Sequence, residues 1–282
     1  MKLVRYGTAG KEKPGLIDQS GALRDLSGIT ADIGPAELSD ASLAKLRGLD
    51  AATLPAVPGN PRMGCPVGAI GKFLAIGLNY IDHAEEAGLA IPAEPVVFMK
   101  PTSCIVGPDD PVMLPRDSVK TDWEIELGFF IGTRARYVTE KEALNHVAGY
   151  CIINDVSERA YQFERGQTWD KGKGCDSFGP IGPWLVTRDE IPDPQSLAMH
   201  LDINGKRMQT GTTAKMIFSV AKIVSYLSEF MTLMPGDVVC TGTPPGVGFG
   251  MKPPVYLKAG DVMTLAIDKL GTQRQTVVPF KL

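Results

Sequence analysis

The chain has 282 residues, of which 44% are hydrophobic and 22% are charged, a composition typical of a globular protein. Its formal net charge of −3 supplies neither a basic stripe for nucleic acid nor a polybasic membrane patch. No apolar run approaches the ~18 residues of a membrane span, and the N-terminus lacks the apolar core of a secretory signal. The five cysteines are scattered, without a Cys-x-x-Cys pair that would indicate zinc. We therefore expect a cytoplasmic protein that binds neither nucleic acid nor membrane.

The beginning of the chain, residues 1–68, is expected to form a small N-terminal domain that ends in a proline-rich linker. Short strand-like runs come first, followed by a helical pattern near residues 40–49. Four prolines between positions 55 and 66 then interrupt the chain. The remainder, residues 69–282, is expected to form the catalytic domain.

Apolar runs bounded by turn residues predict that this second domain is rich in strands. The predicted strands lie at residues 73–77, 96–99, 123–131, 149–154, 184–187, 198–203, 238–241 and 262–267. A capping-box pattern at 139–142 predicts a helix to about His146, and residues 214–230 carry the apolar face of another helix. The predicted fold class is mainly β with some α.

An acidic pair is the strongest chemical signal in the sequence. On a strand, Glu124 and Glu126 would share one face, and Asp155 follows the next long strand. Buried carboxylates this close repel each other unless one is protonated or a cation lies between them. A hard cation such as Mg²⁺ prefers oxygen ligands. A solvated strand face is the alternative, but the apolar residues around the pair favour a metal site.

A second signal lies in the segment that follows the first predicted strand of the larger domain. His83 and Glu86 are three residues apart, so one helical turn would place them on the same face. A carboxylate that binds one imidazole nitrogen leaves the other free to accept a proton from water. A surface histidine beside a charged residue is the alternative, and spacing alone slightly favours it.

Two glycine-containing loops give weaker signals. Lys173 lies between glycines at 172 and 174, which would let its ammonium approach a ligand closely, although a solvated lysine would look the same. Thr243 lies in a glycine-rich loop at 240–250 that could offer backbone N–H groups to a carboxylate. Neither loop matches a phosphate-binding or dinucleotide-binding pattern.

Taken in order, these motifs resemble those of the fumarylacetoacetate hydrolase family, from about residue 73 to the C-terminus. The motifs that carry the resemblance span residues 77–83, 98–101, 124–127, 154–155, 157–162, 173–180 and 235–248. The resemblance implies a mixed β-sandwich roll, a homodimer and a Mg²⁺ cofactor, with Mn²⁺ as the alternative metal.

The resemblance also implies a role for each matching site residue. Metal ligands would be Glu124, Glu126 and Asp155; His83 and Glu86 would activate water; Lys173 would contact the substrate; Arg159, Gln162 and Thr243 would line the pocket.

Within the family, residues 155–187 are similar to enzymes that hydrolyse 2,4-diketo-3-deoxy sugar acids such as L-rhamnonate or L-fuconate derivatives. This implies cleavage of a carbon–carbon bond in a small diketo acid, with release of pyruvate. Cys175 stands where the family commonly has an aromatic residue, so the resemblance does not specify the shape of the substrate pocket. The alternatives are a decarboxylase or isomerase of the same family, ureidoglycolate lyase, and a non-catalytic metal-binding β-domain.

Overall fold

A computed structural model describes residues 1–88, 90–166 and 168–282, without the side chains at positions 83, 84 and 87. It contains 33% strand and 19% helix, which confirms the prediction of a mainly β protein with some α. Among the described residues, no helix is long and apolar enough to cross a membrane.

The strands, in chain order, are β1 (Lys2–Tyr6), β2 (Lys13–Ile17), β3 (Leu23–Asp25), β4 (Phe73–Gly77), β5 (Val96–Lys100), β6 (Ile105–Val106), β7 (Val112–Met113), β8 (Thr121–Asp122), β9 (Ile125–Ile131), β10 (Val147–Asn154), β11 (Ser157–Glu158), β12 (Gly179–Thr187), β13 (Ala198–Ile203), β14 (Lys206–Thr212), β15 (Val238–Cys240), β16 (Val262–Ile267) and β17 (Gly271–Val278). The α-helices are α1 (Asp40–Arg47), α2 (Ile81–Ala87), α3 (Glu140–Ala143), α4 (Arg159–Phe163), α5 (Asp170–Lys173) and α6 (Val220–Phe230).

The largest sheet runs in the order β3-β2-β1-β12-β10-β9-β15-β4-β5, with β6 paired to β12. A second sheet has the order β14-β13-β16-β17-β7, and β11 pairs with β8. Every residue of β9 and β10 is buried, which is why both strands read as nearly continuous apolar runs. Polar residues inside or beside these two central strands therefore lie deep in the molecule.

The N-terminal strands extend the same sheet as the rest of the chain. β1 pairs antiparallel with β12, and Leu3, Leu16 and Leu26 belong to the main hydrophobic core. The division into domains at residues 1–68 and 69–282 stays a prediction.

Several predicted elements have the expected bounds, whereas others differ for local reasons. β4, β13 and β16 coincide with their predictions, but β9 begins at Ile125, two residues later than predicted. Helix α6 begins at Val220 instead of near residue 214, because the Ser219 side chain accepts a hydrogen bond from the backbone of Lys222 and caps the helix there. The capping box at 139–142 is not formed, since the Thr139 hydroxyl bonds the Glu142 carboxylate and caps no backbone N–H.

Candidate active site

Antiparallel pairing of β9 with β10 brings the three predicted acidic residues together. Asn154 lies opposite Ile125, and the backbone N–H of Asp155 donates to the carbonyl of Glu124 at 2.9 Å. Glu126 lies within β9, whereas Glu124 precedes the strand and Asp155 follows β10. Their exposed fractions are 6% for Glu124, 2% for Glu126 and 0% for Asp155. The alternative of a solvated strand face is therefore wrong.

Two buried lysines neutralise part of this negative charge. Lys173 Nζ lies 2.6 Å from both Glu124 Oε2 and Asp155 Oδ2, so its ammonium bridges the two carboxylates. Lys100 Nζ lies 2.6 Å from Asp155 Oδ1 on the other side. Sequence reasoning assigned no role to Lys100. The signal that could have found it is a lysine ending an apolar strand, a position that requires a buried partner.

A buried arginine joins a fourth carboxylate to the group. Arg159 donates through Nη2 to Asp122 Oδ2 and Glu124 Oε1, at 2.7 Å each, and through Nη1 to Gln162 Oε1 at 3.0 Å. Sequence reasoning also missed Asp122, whose Oδ1 accepts the backbone N–H of Gly248 at 2.7 Å. Asp122 thus attaches the glycine-rich loop to the same site. Below, the carboxylate cluster means Asp122, Glu124, Glu126 and Asp155.

The environments of Glu124 and Glu126 shift their pKa values in opposite directions. Burial opposes ionisation of Glu124, but the charges of Lys173 and Arg159 outweigh it and lower its pKa to about 2. Burial and the neighbouring charges of Asp155 and Glu124 raise the pKa of Glu126 well above its ordinary value. A single backbone donor, the N–H of Gly242 at 2.6 Å from Oε2, supports the ionised form of Glu126. Protonation is therefore favoured at Glu126 over Glu124.

The donor atoms fit a hard divalent cation. Ligand atoms of Glu126, Asp155 and Cys240 all lie within 4.8 Å of one another, while Glu124 reaches Asp155 through the Lys173 ammonium. The Cys240 thiol is a soft donor, which a hard cation such as Mg²⁺ disfavours relative to carboxylate oxygens. Clustered carboxylate oxygens are the donors that Mg²⁺ and Mn²⁺ prefer.

Three members of the carboxylate cluster, Glu124, Glu126 and Asp155, line a cavity of about 920 Å³. Its lining includes the predicted site residues Glu86, Arg159, Gln162, Lys173 and Thr243, together with Glu124, Glu126 and Asp155. The side chain of His83 lies outside the described residues, so its position relative to Glu86 stays a prediction. The catalytic, metal-binding and substrate-binding roles of the assembled residues also stay predictions.

Thr243 lines the cavity but is already hydrogen-bonded within the protein. Its hydroxyl donates to the carbonyl of Ile125 at 2.9 Å and accepts from Gln209 Nε2 at 2.8 Å. In this arrangement the hydroxyl hydrogen is directed to the carbonyl of Ile125. The loop contacts the carboxylate cluster instead through the backbone N–H groups of Gly242 and Gly248.

Comparison with known proteins identifies the family. Residues 72–278 match the model of the fumarylacetoacetate (FAA) hydrolase C-terminal family, and the chain belongs to this family. A protein of Burkholderia multivorans, provisionally named a hydrolase, is 61% identical over 276 residues, 98% of each chain. The chain is thus an enzyme of the fumarylacetoacetate hydrolase superfamily.

Solved structures of similar fold cover essentially the whole chain. Fumarylacetoacetate hydrolase from Exiguobacterium antarcticum is 36% identical with a TM-score of 0.86, over 99% of this chain and 100% of that one. 2-Hydroxyhepta-2,4-diene-1,7-dioate isomerase from Mycobacterium marinum is 31% identical, TM-score 0.78, over 100% of both chains. Maleylpyruvate hydrolase from Sphingobium, in complex with manganese(II) and pyruvate, is 27% identical, TM-score 0.82, over 100% of both chains. The superfamily therefore includes hydrolases and isomerases, and one neighbour holds a divalent metal.

Proposed function

We propose that this protein is a metal-dependent hydrolase that cleaves the C3–C4 bond of a 2,4-diketo acid and releases pyruvate. The observation that carries the proposal is the buried carboxylate cluster, bridged by Lys173 and open to the cavity that Glu86 also lines. Glu124, Glu126 and Asp155 would hold Mg²⁺ or Mn²⁺. When bound, the divalent cation would supply Lewis acidity toward the carboxylate and 2-oxo group of the substrate.

The charge of the site suits an anionic substrate. The four carboxylates of the cluster face three cations, Lys100, Lys173 and Arg159, which leaves one negative charge when all are ionised. A divalent cation would convert this to one positive charge, which the carboxylate of a diketo acid would neutralise. Since charge interactions strengthen where water is excluded, this complementarity favours substrate binding.

The reaction adds one water molecule and breaks one carbon–carbon bond. The predicted pair of His83 and Glu86 would take a proton from water as its oxygen bonds to C4. The electron pair of the C3–C4 bond then passes to C3, giving the enolate of pyruvate and a carboxylic acid. Lys173 would stabilise the negative charge of that enolate, and protonation at C3 would complete pyruvate. The atoms of water and the diketo acid are thus all accounted for in pyruvate and the released acid.

A pyruvate assay tests this function. Purified protein with Mg²⁺ is incubated with 2,4-dioxopentanoate, and separately with the 2,4-diketo-3-deoxy derivatives of L-rhamnonate and L-fuconate that the sequence resemblance implies. Pyruvate is then detected with lactate dehydrogenase and NADH. Oxidation of NADH that requires both protein and metal supports the proposal. No pyruvate from any diketo acid would reject it.

Isomerisation of an unsaturated 2-hydroxy dioate is the second candidate, because the Mycobacterium marinum neighbour carries that name. This reaction would use the same enolate chemistry without an activated water. Decarboxylation of oxaloacetate belongs to the same group of alternatives. Spectral change of the dioate, or carbon dioxide from oxaloacetate, without pyruvate from any diketo acid would favour these reactions. The homodimer is also part of the proposal, and light scattering after size-exclusion chromatography measures it.

A further inference from the structure

Four aromatic side chains form one side of the cavity, and we call them the aromatic wall: Phe98, Phe163, Trp169 and Phe249. Phe98 and Trp169 meet edge to face with ring centroids 5.3 Å apart, and Trp169 meets Phe163 edge to face at 6.3 Å. Phe163 continues to Phe249 at 5.3 Å. The four rings thus form a continuous series of contacts along the cavity.

The aromatic wall begins and ends at the two cations that contact Glu124. Lys173 Nζ lies 5.3 Å from the ring centroid of Phe98, and Arg159 Cζ lies 5.8 Å from that of Phe249. The same two cations lie 2.6 Å and 2.7 Å from the Glu124 carboxylate. A ligand anchored at the carboxylate cluster therefore has ring surface next to it as it extends away.

The local packing fixes one ring of this wall and leaves two others half-exposed. A Cβ on Gly77 would overlap the six-membered ring of Trp169, so the glycine lets the indole pack directly on the backbone. Phe163 and Phe249 are 47% and 49% exposed at the cavity. Clustered aromatic surface of this kind is typical of ligand-binding sites, since a bound apolar group would remove it from water.

We infer that the aromatic wall binds the tail beyond C4 and selects a planar apolar tail, aromatic or conjugated, over a polyhydroxylated one. The inference rests on the proposed function, which places the diketo acid head at the carboxylate cluster. Aromatic rings stack on planar groups and bury large apolar areas. The hydroxyl groups of a sugar-acid tail would lose water against ring carbons, without replacement hydrogen bonds from the wall.

The test compares three diketo acids that share a head and differ in their tails: benzoylpyruvate, 2,4-dioxopentanoate and 2,4-diketo-3-deoxy-L-rhamnonate. We expect kcat/KM for benzoylpyruvate to exceed that for the sugar acid by about tenfold or more. Trp169→Ala, or Phe249→Leu, which keeps an apolar side chain at a half-exposed position, should lower the ratio of benzoylpyruvate to dioxopentanoate kcat/KM by about tenfold. Phe230→Ala is the control, since Phe230 is a 63% exposed aromatic on α6 that does not line the cavity.

Calorimetry measures the binding of benzoylpyruvate and 2,4-dioxopentanoate in the presence of Mg²⁺. It therefore tests tail binding by the aromatic wall independently of the proposed reaction. One possible result is that benzoylpyruvate binds more tightly than 2,4-dioxopentanoate, that Trp169→Ala removes this difference, and that no pyruvate is released. This result would reject the proposed hydrolysis and support tail binding by the aromatic wall. Equal binding of both compounds, or a sugar acid hydrolysed as well as benzoylpyruvate, would overturn the wall. A Trp169→Ala variant that lowers kcat/KM equally for all three substrates would also overturn the inference.

Discussion

Lys100 and Asp155 form an ion pair that is closed to water. The Nζ and Oδ1 atoms lie 2.6 Å apart, and the two side chains are 0% and 1% exposed. Lys100 ends β5 at the edge of the large sheet, whereas Asp155 follows the central strand β10. The pair therefore ties the sheet edge to the predicted metal site.

Replacing Lys100 should destabilise the protein strongly. Lys100→Met keeps much of the side-chain volume but leaves Asp155 with only Lys173, and breaking a buried pair typically costs about 3–5 kcal/mol. Urea unfolding measures the loss. The matched control is Lys120→Met, because Lys120 pairs with Glu164 at the surface, with side chains 35% and 57% exposed. That variant should lose much less stability, because solvent screens an exposed pair. Equal losses in both variants would show that the Lys100 pair contributes no more than a surface pair.

Replacing Glu126 should weaken the metal. Glu126→Gln keeps the shape of the side chain but removes a charged ligand, and we expect Mn²⁺ affinity to fall by about tenfold or more. Electron paramagnetic resonance of free Mn²⁺ measures binding without any assay of activity. Glu140→Gln is the control, since Glu140 is an exposed glutamate on α3. Unchanged Mn²⁺ affinity in Glu126→Gln would remove Glu126 from the ligand set.

Metal affinity should rise with pH. Burial and the charges of Asp155 and Glu124 raise the pKa of Glu126, so the carboxyl is protonated in the metal-free protein at pH values where a free glutamate is ionised. A metal must displace that proton, so binding should release protons and weaken as the pH falls. Glu124, with its pKa lowered to about 2, should contribute nothing near neutrality.

Calorimetry in two buffers of different ionisation heat counts the released protons. Wild-type protein should release more protons than Glu126→Gln does at the same pH. Equal proton release by the two proteins would mean that Glu126 does not carry the displaced proton.

The predicted water-activating pair can be tested separately from the metal. His83→Ala should abolish hydrolysis while Mn²⁺ affinity stays within about twofold, because the imidazole is predicted to activate water and not to bind the cation. A pyruvate assay measures hydrolysis, and titration with Mn²⁺ measures metal affinity. Normal hydrolysis by His83→Ala would show that another group activates water.

Sequence patterns found the parts of the site that are adjacent along the chain but missed contacts across the sheet. The alternation of Glu124 and Glu126 and the position of Asp155 after an apolar run indicated a shared site, and strand pairing brings the three residues together. Lys100 carried no such pattern, since its partner Asp155 is 55 residues away. Asp122 was missed for a similar reason, because Gly248 and Arg159 reach it from other segments.

The missed strands have a physical explanation as well. β14 and β17 contain few apolar residues, and several of their side chains are exposed, so neither shows a strong alternating pattern. β14 and β17 form instead through backbone pairing with β13 and β16, respectively. Asn204-Gly205, with positive φ angles of 51° and 79°, forms the turn that joins β13 to β14.

Product stoichiometry tests the central proposal most directly. Proton NMR follows 2,4-dioxopentanoate incubated with the protein and Mg²⁺, with a chelator-treated sample and Glu126→Gln as comparisons. We predict one acetate and one pyruvate for each substrate consumed, with turnover lost in the chelated sample and reduced in the variant. Diketo acids that all remain intact with metal present, or products that contain no pyruvate, would contradict metal-dependent hydrolysis of the C3–C4 bond.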